Sequence, residues 1–232
     1  MSDSVYTLAI EGATYQGSVA LLRGNDVVAE RTVTAEDGSS PRAGRGERLM
    51  PAVAECLAEG GLDRSGAEIG RIVCGAGPGS FTSLRVAGSV AKGLAVGYGI
   101  DLYAVSSLVL SVTGGKPSLP QGEYLSVLDA MRGEFFAARI TLPLDPALLR
   151  AQRPLLLSRD ALEDFRLTER GIRLVGPGQD EDAHPHARGV APILEAIILT
   201  GPVDLAAWEP DYGRLAEAQV RWEAAHGRPL AT

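Results

Sequence analysis

The sequence predicts an α/β protein built as two lobes. Its 232 residues exceed the usual size of a single domain. The first part reads as three meandering strands followed by helix, strand, helix and strand, the pattern of a mixed sheet covered by helices. A weaker set of strand-like runs begins after Ser106. The implied division is a first lobe over 1–104, a smaller second lobe over 105–206, and a C-terminal segment over 207–232 that packs back on the first lobe.

The elements follow in order. Apolar runs at Val5 to Glu11 and Ser18 to Arg23 flank the turn-prone Thr14 to Gly17, and a third run starts at Val27 after Gly24, Asn25 and Asp26. Residues 34–46, rich in Gly, Ser, Pro and charge, lack a hydrophobic period and read as an exposed loop. From Glu47 to Glu59, Leu49, Met50, Val53, Ala54, Leu57 and Ala58 recur at helical spacing, and Gly60 and Gly61 stop the helix. Arg71 to Gly75 is a short strand, Leu84 to Tyr98 a helix and Leu102 to Val105 a strand. Strands are expected at Tyr124 to Ala130 and Phe135 to Leu142, with further ones at Leu155 to Leu157 and Ile172 to Val175. Helices are expected at Ala191 to Leu199 and Arg214 to Ala225, and no internal repeat stands out.

Composition narrows the class. With 45% apolar and 22% charged residues the chain has the profile of an ordinary globular protein. It carries no run of about 18 apolar residues and no basic-then-apolar leader, which predicts a cytoplasmic chain. The two cysteines, Cys56 and Cys74, sit among apolar residues and read as reduced core thiols. A net charge of −7 argues against a basic surface able to grip a nucleic-acid backbone, so any RNA is held by a partner.

The most informative stretch is GAGPGSFTSLRVAGSVAKGLA, Gly75 to Ala95, where a strand ends in glycines and a helix begins. Such a turn presents backbone amides at a helix N-terminus, which suits an anion, and Gly77, Gly79, Ser80 and Thr82 are the candidate contacts. Ser80 and Thr82 are also the candidate caps. No Gly-Lys-Ser/Thr follows, and Ser80 stands where a dinucleotide fingerprint needs its third glycine, so neither standard phosphate motif is present. A tight structural turn is the plain alternative. The helix beyond it carries Lys92 as its one charge between Val86 and Tyr98, and small residues keep it thin on several sides. A solvent-facing helix does not look like this. Its outer side is expected either inside the fold or against a partner, with Leu49, Met50, Val53, Leu57, Val86, Ser89, Val90 and Gly93 as candidate contact residues.

GPGSFTSLR, Gly77 to Arg85, closely resembles the motif GPGSFTGLR of the TsaB family, a branch of the actin, sugar-kinase and Hsp70-like ATPase superfamily with its ribonuclease H-like lobes. LAIEGATYQGSVALL, Leu8 to Leu22, loosely matches the family's opening strand and Asp-Thr-Ser turn. Leu49 and Pro51 match part of its His-Ser-x-x-Leu-x-Pro motif. DAMRGEFF, Asp129 to Phe136, is similar to DARRGEVY, and Pro210, Tyr212 and Arg214 match a terminal Pro-x-Tyr-x-Arg. Departures are Glu11, Gly12 and Ala13 in place of the Asp-Thr-Ser turn, Arg45 and Gly46 in place of His and Ser, and Ser83 in place of a glycine.

The resemblance implies two lobes, the second abbreviated, and a noncatalytic scaffold whose N-terminal helices pair with a TsaD-like catalytic subunit. That subunit transfers threonylcarbamoyl to adenosine 37 of tRNA. It also implies a TsaE-like ATPase partner, a homodimer when alone, tRNA contact only through the complex, and no cofactor or metal of its own, ATP being used by the partner complex. The eroded first turn argues against the runner-up, a free-standing ATPase or kinase of the superfamily. A self-associating protein without these partners is a third reading.

Little in the sequence contradicts a scaffold. His184 and His186 flank Pro185 in a polar stretch and read as an exposed loop, too few for a metal site. His226 reads as a helix C-terminal residue. Glu11 and Asp129 are the candidate acid–base pair if a cleft brings them together, and Gly176 to Gly178 is the candidate second phosphate loop. No His-Glu-x-x-His helix or serine-protease context is present.

Overall fold

The computed structural model describes residues 5–34, 45–63, 66–151, 153–213 and 226–227. The expected helix over 214–225 and most of the loop over 34–46 lie outside them.

In the first lobe, β1 (Tyr6–Glu11), β2 (Gly17–Arg23) and β3 (Asp26–Val33) form an antiparallel meander. The two-residue turn between β2 and β3 opens on Gly24 at φ 59°, the positive value such hairpins need. Helix α1 (Arg45–Glu59) then packs on β2 and β3 and closes at Gly60 and Gly61, whose amides bond back to Cys56 and Ala58. β4 (Ile69–Gly75) runs parallel to β1, helix α2 (Phe81–Tyr98) crosses over, and β5 (Asp101–Val105) runs parallel to β4. The sheet order is β3-β2-β1-β4-β5.

Helix α3 (Ser107–Thr113) leads to the second lobe. There, β6 (Gly122–Asp129), β7 (Glu134–Leu142) and β8 (Leu155–Ser158) form a second meander, with α4 (Pro146–Ala151) between the last two. Helix α5 (Arg159–Thr168) precedes β9 (Arg173–Gly176) and the short β10 (Glu181–Asp182), which add in parallel on the far side of β6. A 3-10 helix (Ala187–Ile193) and α6 (Leu194–Leu199) complete it. The order β10-β9-β6-β7-β8 is the first lobe's order traced again. Each lobe is thus a ribonuclease H-like unit, and the pair is the two-lobed actin/sugar-kinase/Hsp70-like ATPase fold with an abbreviated second lobe. The repeat lies in topology, as the resemblance's two lobes of related fold imply, and no sequence period marks it.

Strand alternation explains the layers. Side chains two apart share a face, so Leu8 and Ile10 of β1 point to the α1 and α2 side while Ala9 points the other way. The Ala9 side, with Ala20, Leu22 and Val73, meets α3, the 3-10 helix and α6, and these in turn meet Tyr124, Phe136 and Ile140 of the second sheet. A further cluster under α5 covers that sheet's outer face. Cys56 and Cys74 are buried and unpaired, as expected of core thiols. Among the described residues no helix is long and apolar enough to cross a membrane.

Two local expectations need correction. The segment expected to be one helix over 191–199 is 3-10 up to Ile193 and α only from Leu194, because Pro192 cannot donate an i→i−4 bond. The stretch Ser107–Thr113 was not expected to be helical, yet it is a fully buried α-helix up to Val112. The chain then returns to the first lobe, where the Val203 amide donates to Leu102 O and the Asp211 amide to Ala76 O.

Candidate docking face and glycine turn

The turn from β4 into α2 is fastened on three sides. The Gly77 amide donates to Ser107 Oγ at 3.1 Å, and the Ser107 amide returns a bond to Gly77 O at 2.8 Å. The Ser80 amide donates to Ala13 O at 2.7 Å. A Cβ at Gly79 would stand 2.2 Å from that same Ala13 oxygen, and one at Gly77 2.1 Å from Asp211 O. Glycine is required here because other backbone sits against the turn. Two of the amides expected to cradle an anion, Gly77 and Ser80, are therefore occupied by the chain itself.

The expected cap is also absent. Ser80 holds the N-cap position of α2, but its side chain makes no capping bond; its Oγ lies 3.1 Å from Ser83 Oγ. Thr82 lies within the first helical turn and is exposed. Ser83, the departure from the family's glycine, supplies the hydroxyl that partners Ser80 Oγ.

The β1–β2 turn is packed beneath α2. A Cβ at Gly12 would meet Ala87 Cβ at 2.6 Å and Ser83 O at 3.1 Å. Glu11 at the end of β1 is fully buried, its Oε1 accepting from the Ala13 amide at 2.5 Å and both its oxygens lying within 3.1 Å of Ser107 Oγ. Burial pushes its carboxyl up to about 7, against the lowering effect of those hydrogen bonds. Asp129 is exposed, with Oδ1 accepting from the Met131 amide. An enclosed Glu11 with these partners and an exposed Asp129 do not form the acid–base pair the sequence suggested.

Helix α2 has two distinct sides. Leu84, Ala87, Gly88, Ala91 and Ala95 are buried, with Gly88 against Pro210 and Trp208 and Lys92 Nζ donating to Trp208 O at 2.9 Å. Val86 and Val90 are half-buried and pack partly on the first lobe's core, while Ser89, Gly93, Val96 and Gly97 beside them are exposed. Val96 is 69% exposed, and nothing lies within 4 Å of a Cβ built at Gly93 or Gly97. The spacing of three, four and seven puts these residues on one uncharged stripe. Of the α1 candidates, Leu49, Val53 and Leu57 are consumed by the lobe's own core, which leaves them no surface to offer; Met50 alone of those four is exposed, at 45%. At the start of α2, Phe81 lies against Tyr212 with ring centroids 4.5 Å apart and planes tilted by 44°, and Arg85 lies over the Phe81 face.

His186 corrects the expectation of an exposed histidine loop. It is buried, Nδ1 accepting from the Arg188 amide at 3.1 Å and Nε2 lying 3.2 Å from Thr32 Oγ1 of the first lobe. Burial, and next the neighbouring Arg188, hold its pKa down to about 4. His184 is exposed. Gly176 to Gly178, the candidate second phosphate loop, is closed by its own neighbours, with the Gly178 amide on Asp182 and the Gln179 amide on Gly176 O. Among the described residues no group of three or more His, Cys, Asp or Glu is placed to hold a metal ion.

Comparison with known proteins places this architecture. A protein named tRNA threonylcarbamoyladenosine biosynthesis protein TsaB from Bacillus subtilis (strain 168) is 29% identical, over 93% of this chain and 96% of its own length. The protein of the same name from Escherichia coli (strain K12) is 34% identical over 56% of this chain and 53% of its own. The chain is thus similar to proteins of the TsaB/YeaZ type. A family model described as TsaD, tRNA N6-adenosine threonylcarbamoyltransferase, matches residues 40–143 of this chain. The solved structure of YeaZ from Pseudomonas aeruginosa shares the fold, with a TM-score of 0.69, 23% identity, and coverage of 90% of this chain and 99% of that one.

One feature of the chain escaped the sequence reading. Ser107, which joins Glu11 to the glycine turn, carries no local signal. The segment Trp208–Tyr212 lies along α2; the sequence marked it through Pro210 and Tyr212 of the family motif and through the expectation that residues 207–232 pack on the first lobe.

Proposed function

We propose that this chain is a noncatalytic scaffold in the cytoplasmic machinery that makes threonylcarbamoyladenosine in tRNA. It binds a TsaD-like catalytic subunit and supports transfer of threonylcarbamoyl to N6 of adenosine 37 of ANN-decoding tRNAs. The observation that carries this reading is the outer stripe of α2, where Val86, Ser89, Val90, Gly93 and Val96 form an uncharged, half-open helical face with Met50 of α1 exposed in the same lobe. Ser89, Gly93 and Gly97, four apart, let a partner helix approach closely. The pathway named for the Bacillus subtilis and Escherichia coli relatives supports the choice of partner. The buried first turn and self-closed glycine turn support a role without nucleotide hydrolysis of its own. A TsaE-like ATPase joins the assembly, ATP is used by the partners, and the same α2 face pairs two copies when the chain is alone.

Gly93→Arg tests this. The position is open, so the variant should fold with stability unchanged or raised by up to about 1 kcal/mol, since Arg is the better helix former. It should lose capture of the TsaD-like subunit and sediment as a monomer. A folded variant that still captures that subunit would refute the docking face.

A further inference from the structure

We propose that Glu11 is a positioning residue for α2: its carboxyl, held between the Ala13 amide and the Ser107 hydroxyl, locks the β1–β2 turn against the glycine turn and fixes where the helix starts. The role of the helix face itself rests on the docking reading above; the lock does not.

The geometry is a continuous polar chain through the core. The Gly77 amide donates to Ser107 Oγ, so the single Ser107 proton is directed at Glu11, whose two oxygens lie 2.9 and 3.1 Å away. Glu11 then accepts the Ala13 amide, and Ala13 O accepts the Ser80 amide immediately ahead of α2. Three segments distant in sequence, the first turn, the glycine turn and the start of α3, meet at one side chain. Reach decides the residue type: the glutamate extends across Gly75, where a Cβ would fall 1.8 Å from Oε2. A network closed in this way rigidifies whatever it joins, and a missing member leaves buried donors unmatched.

Among the described residues, none of the elements around Glu11 offers it a cation. β2 presents Ser18 opposite it, α3 presents Ser107, and α2 presents Ala87 to the adjoining turn. The ionisable neighbour is Cys74 on β4, whose thiol is pushed upward by burial and by Glu11, and stays neutral. Ionising Glu11 thus places a buried charge at the joint whose desolvation outweighs what the Ala13, Ser107 and Gly12 donors return, so the folded joint loses protection as pH rises through neutrality.

Amide hydrogen exchange of the purified full chain reads the lock at Gly77 and Ser80. At pH 6, Glu11→Ala should speed exchange at both by about tenfold, the scale of one lost buried hydrogen bond, while Glu11→Gln stays within about threefold of the parent. Between pH 6 and 8, protection corrected for intrinsic exchange should fall in the parent and stay level in Glu11→Gln. Ser107→Ala should reproduce Glu11→Ala, and serves in its place if that variant does not fold. Unchanged protection in Ser107→Ala, or a Gln variant behaving as the Ala variant does, would overturn the proposal. Capture of the TsaD-like subunit separates the two readings: Gly93→Arg should abolish capture without altering protection, whereas Glu11→Ala should alter both. Loosened amides with capture insensitive to Gly93→Arg would leave the lock standing and remove the docking face.

Discussion

The two lobes share a strand order and differ in what they do with it. In both, the fourth strand ends in Gly-Pro-Gly: Gly77 to Gly79 after β4, and Gly176 to Gly178 after β9. In the first lobe the turn feeds the 18-residue α2 and bonds to Ser107 and Ala13, residues from other parts of the chain. In the second it leads to the two-residue β10 and is closed by Asp180, Asp182 and Gln179 nearby. The hairpin tips differ similarly. The β1–β2 turn lies under α2, while the β6–β7 tip stands in solvent with Met131 and Arg132 at φ 64° and 59° and Met131 55% exposed. One glycine motif thus joins distant segments in one lobe and only turns the chain in the other.

The sharpest way to break that contrast is to fill both turns. Gly79→Ala places a methyl 2.2 Å from Ala13 O and should cost about 3 kcal/mol, since backbone rather than a flexible side chain must yield. Gly178→Ala meets nothing within 4 Å and carries only the strain of φ 68°, about 1 kcal/mol. Urea unfolding of both variants compares them, and equal losses would mean the first turn is no more tightly held than the second.

A pH titration of stability contrasts the buried groups of the two lobes. Glu11, raised from 4.5 to about 7, keeps its proton in the folded chain after the unfolded chain has lost it. Its contribution is complete below about pH 4.5 and is lost as pH rises to 7, a span of about 3 kcal/mol. His186, lowered from 6.5 to about 4, has the opposite sign: its contribution is present above pH 6.5 and lost as pH falls toward 4. The slopes oppose each other between about pH 4.5 and 6.5. Glu11→Gln should leave stability rising with pH across that window, and His186→Gln should leave it falling. Parallel profiles for the two variants would show that one of these groups is not titrating as its burial dictates.

The smallest effect compares the helix starts. Ser158 Oγ accepts from the Ala161 amide at 3.1 Å, a side-chain cap on α5, so Ser158→Ala should lower stability by about 1 kcal/mol. Ser80 caps nothing, and Ser80→Ala should cost under about 0.5 kcal/mol. The midpoint of denaturation for each variant decides, and a larger loss at Ser80 would restore it as a cap.

The sequence by itself determined those elements whose signal is local. The period-two runs of β1 and β2, the glycine stop of α1, the charge-poor α2 and the family resemblance in GPGSFTSLR were all legible, because alternation, helical spacing and turn chemistry act over a few residues. SLVLSVT, Ser107 to Thr113, was not, since a short apolar stretch buried on all sides shows no period to separate helix from strand. Tertiary structure alone decided how the shared signals were spent. It turned Leu49, Val53 and Leu57 inward, enclosed His186 against Thr32, and gave Ser80 a hydroxyl partner instead of a helix amide. It also brought Ser107 to Glu11 across 96 positions of chain. Burial and hydrogen-bond partnership are properties of neighbours in space, and nothing in the local run of residues around Glu11 names a neighbour that far along the chain.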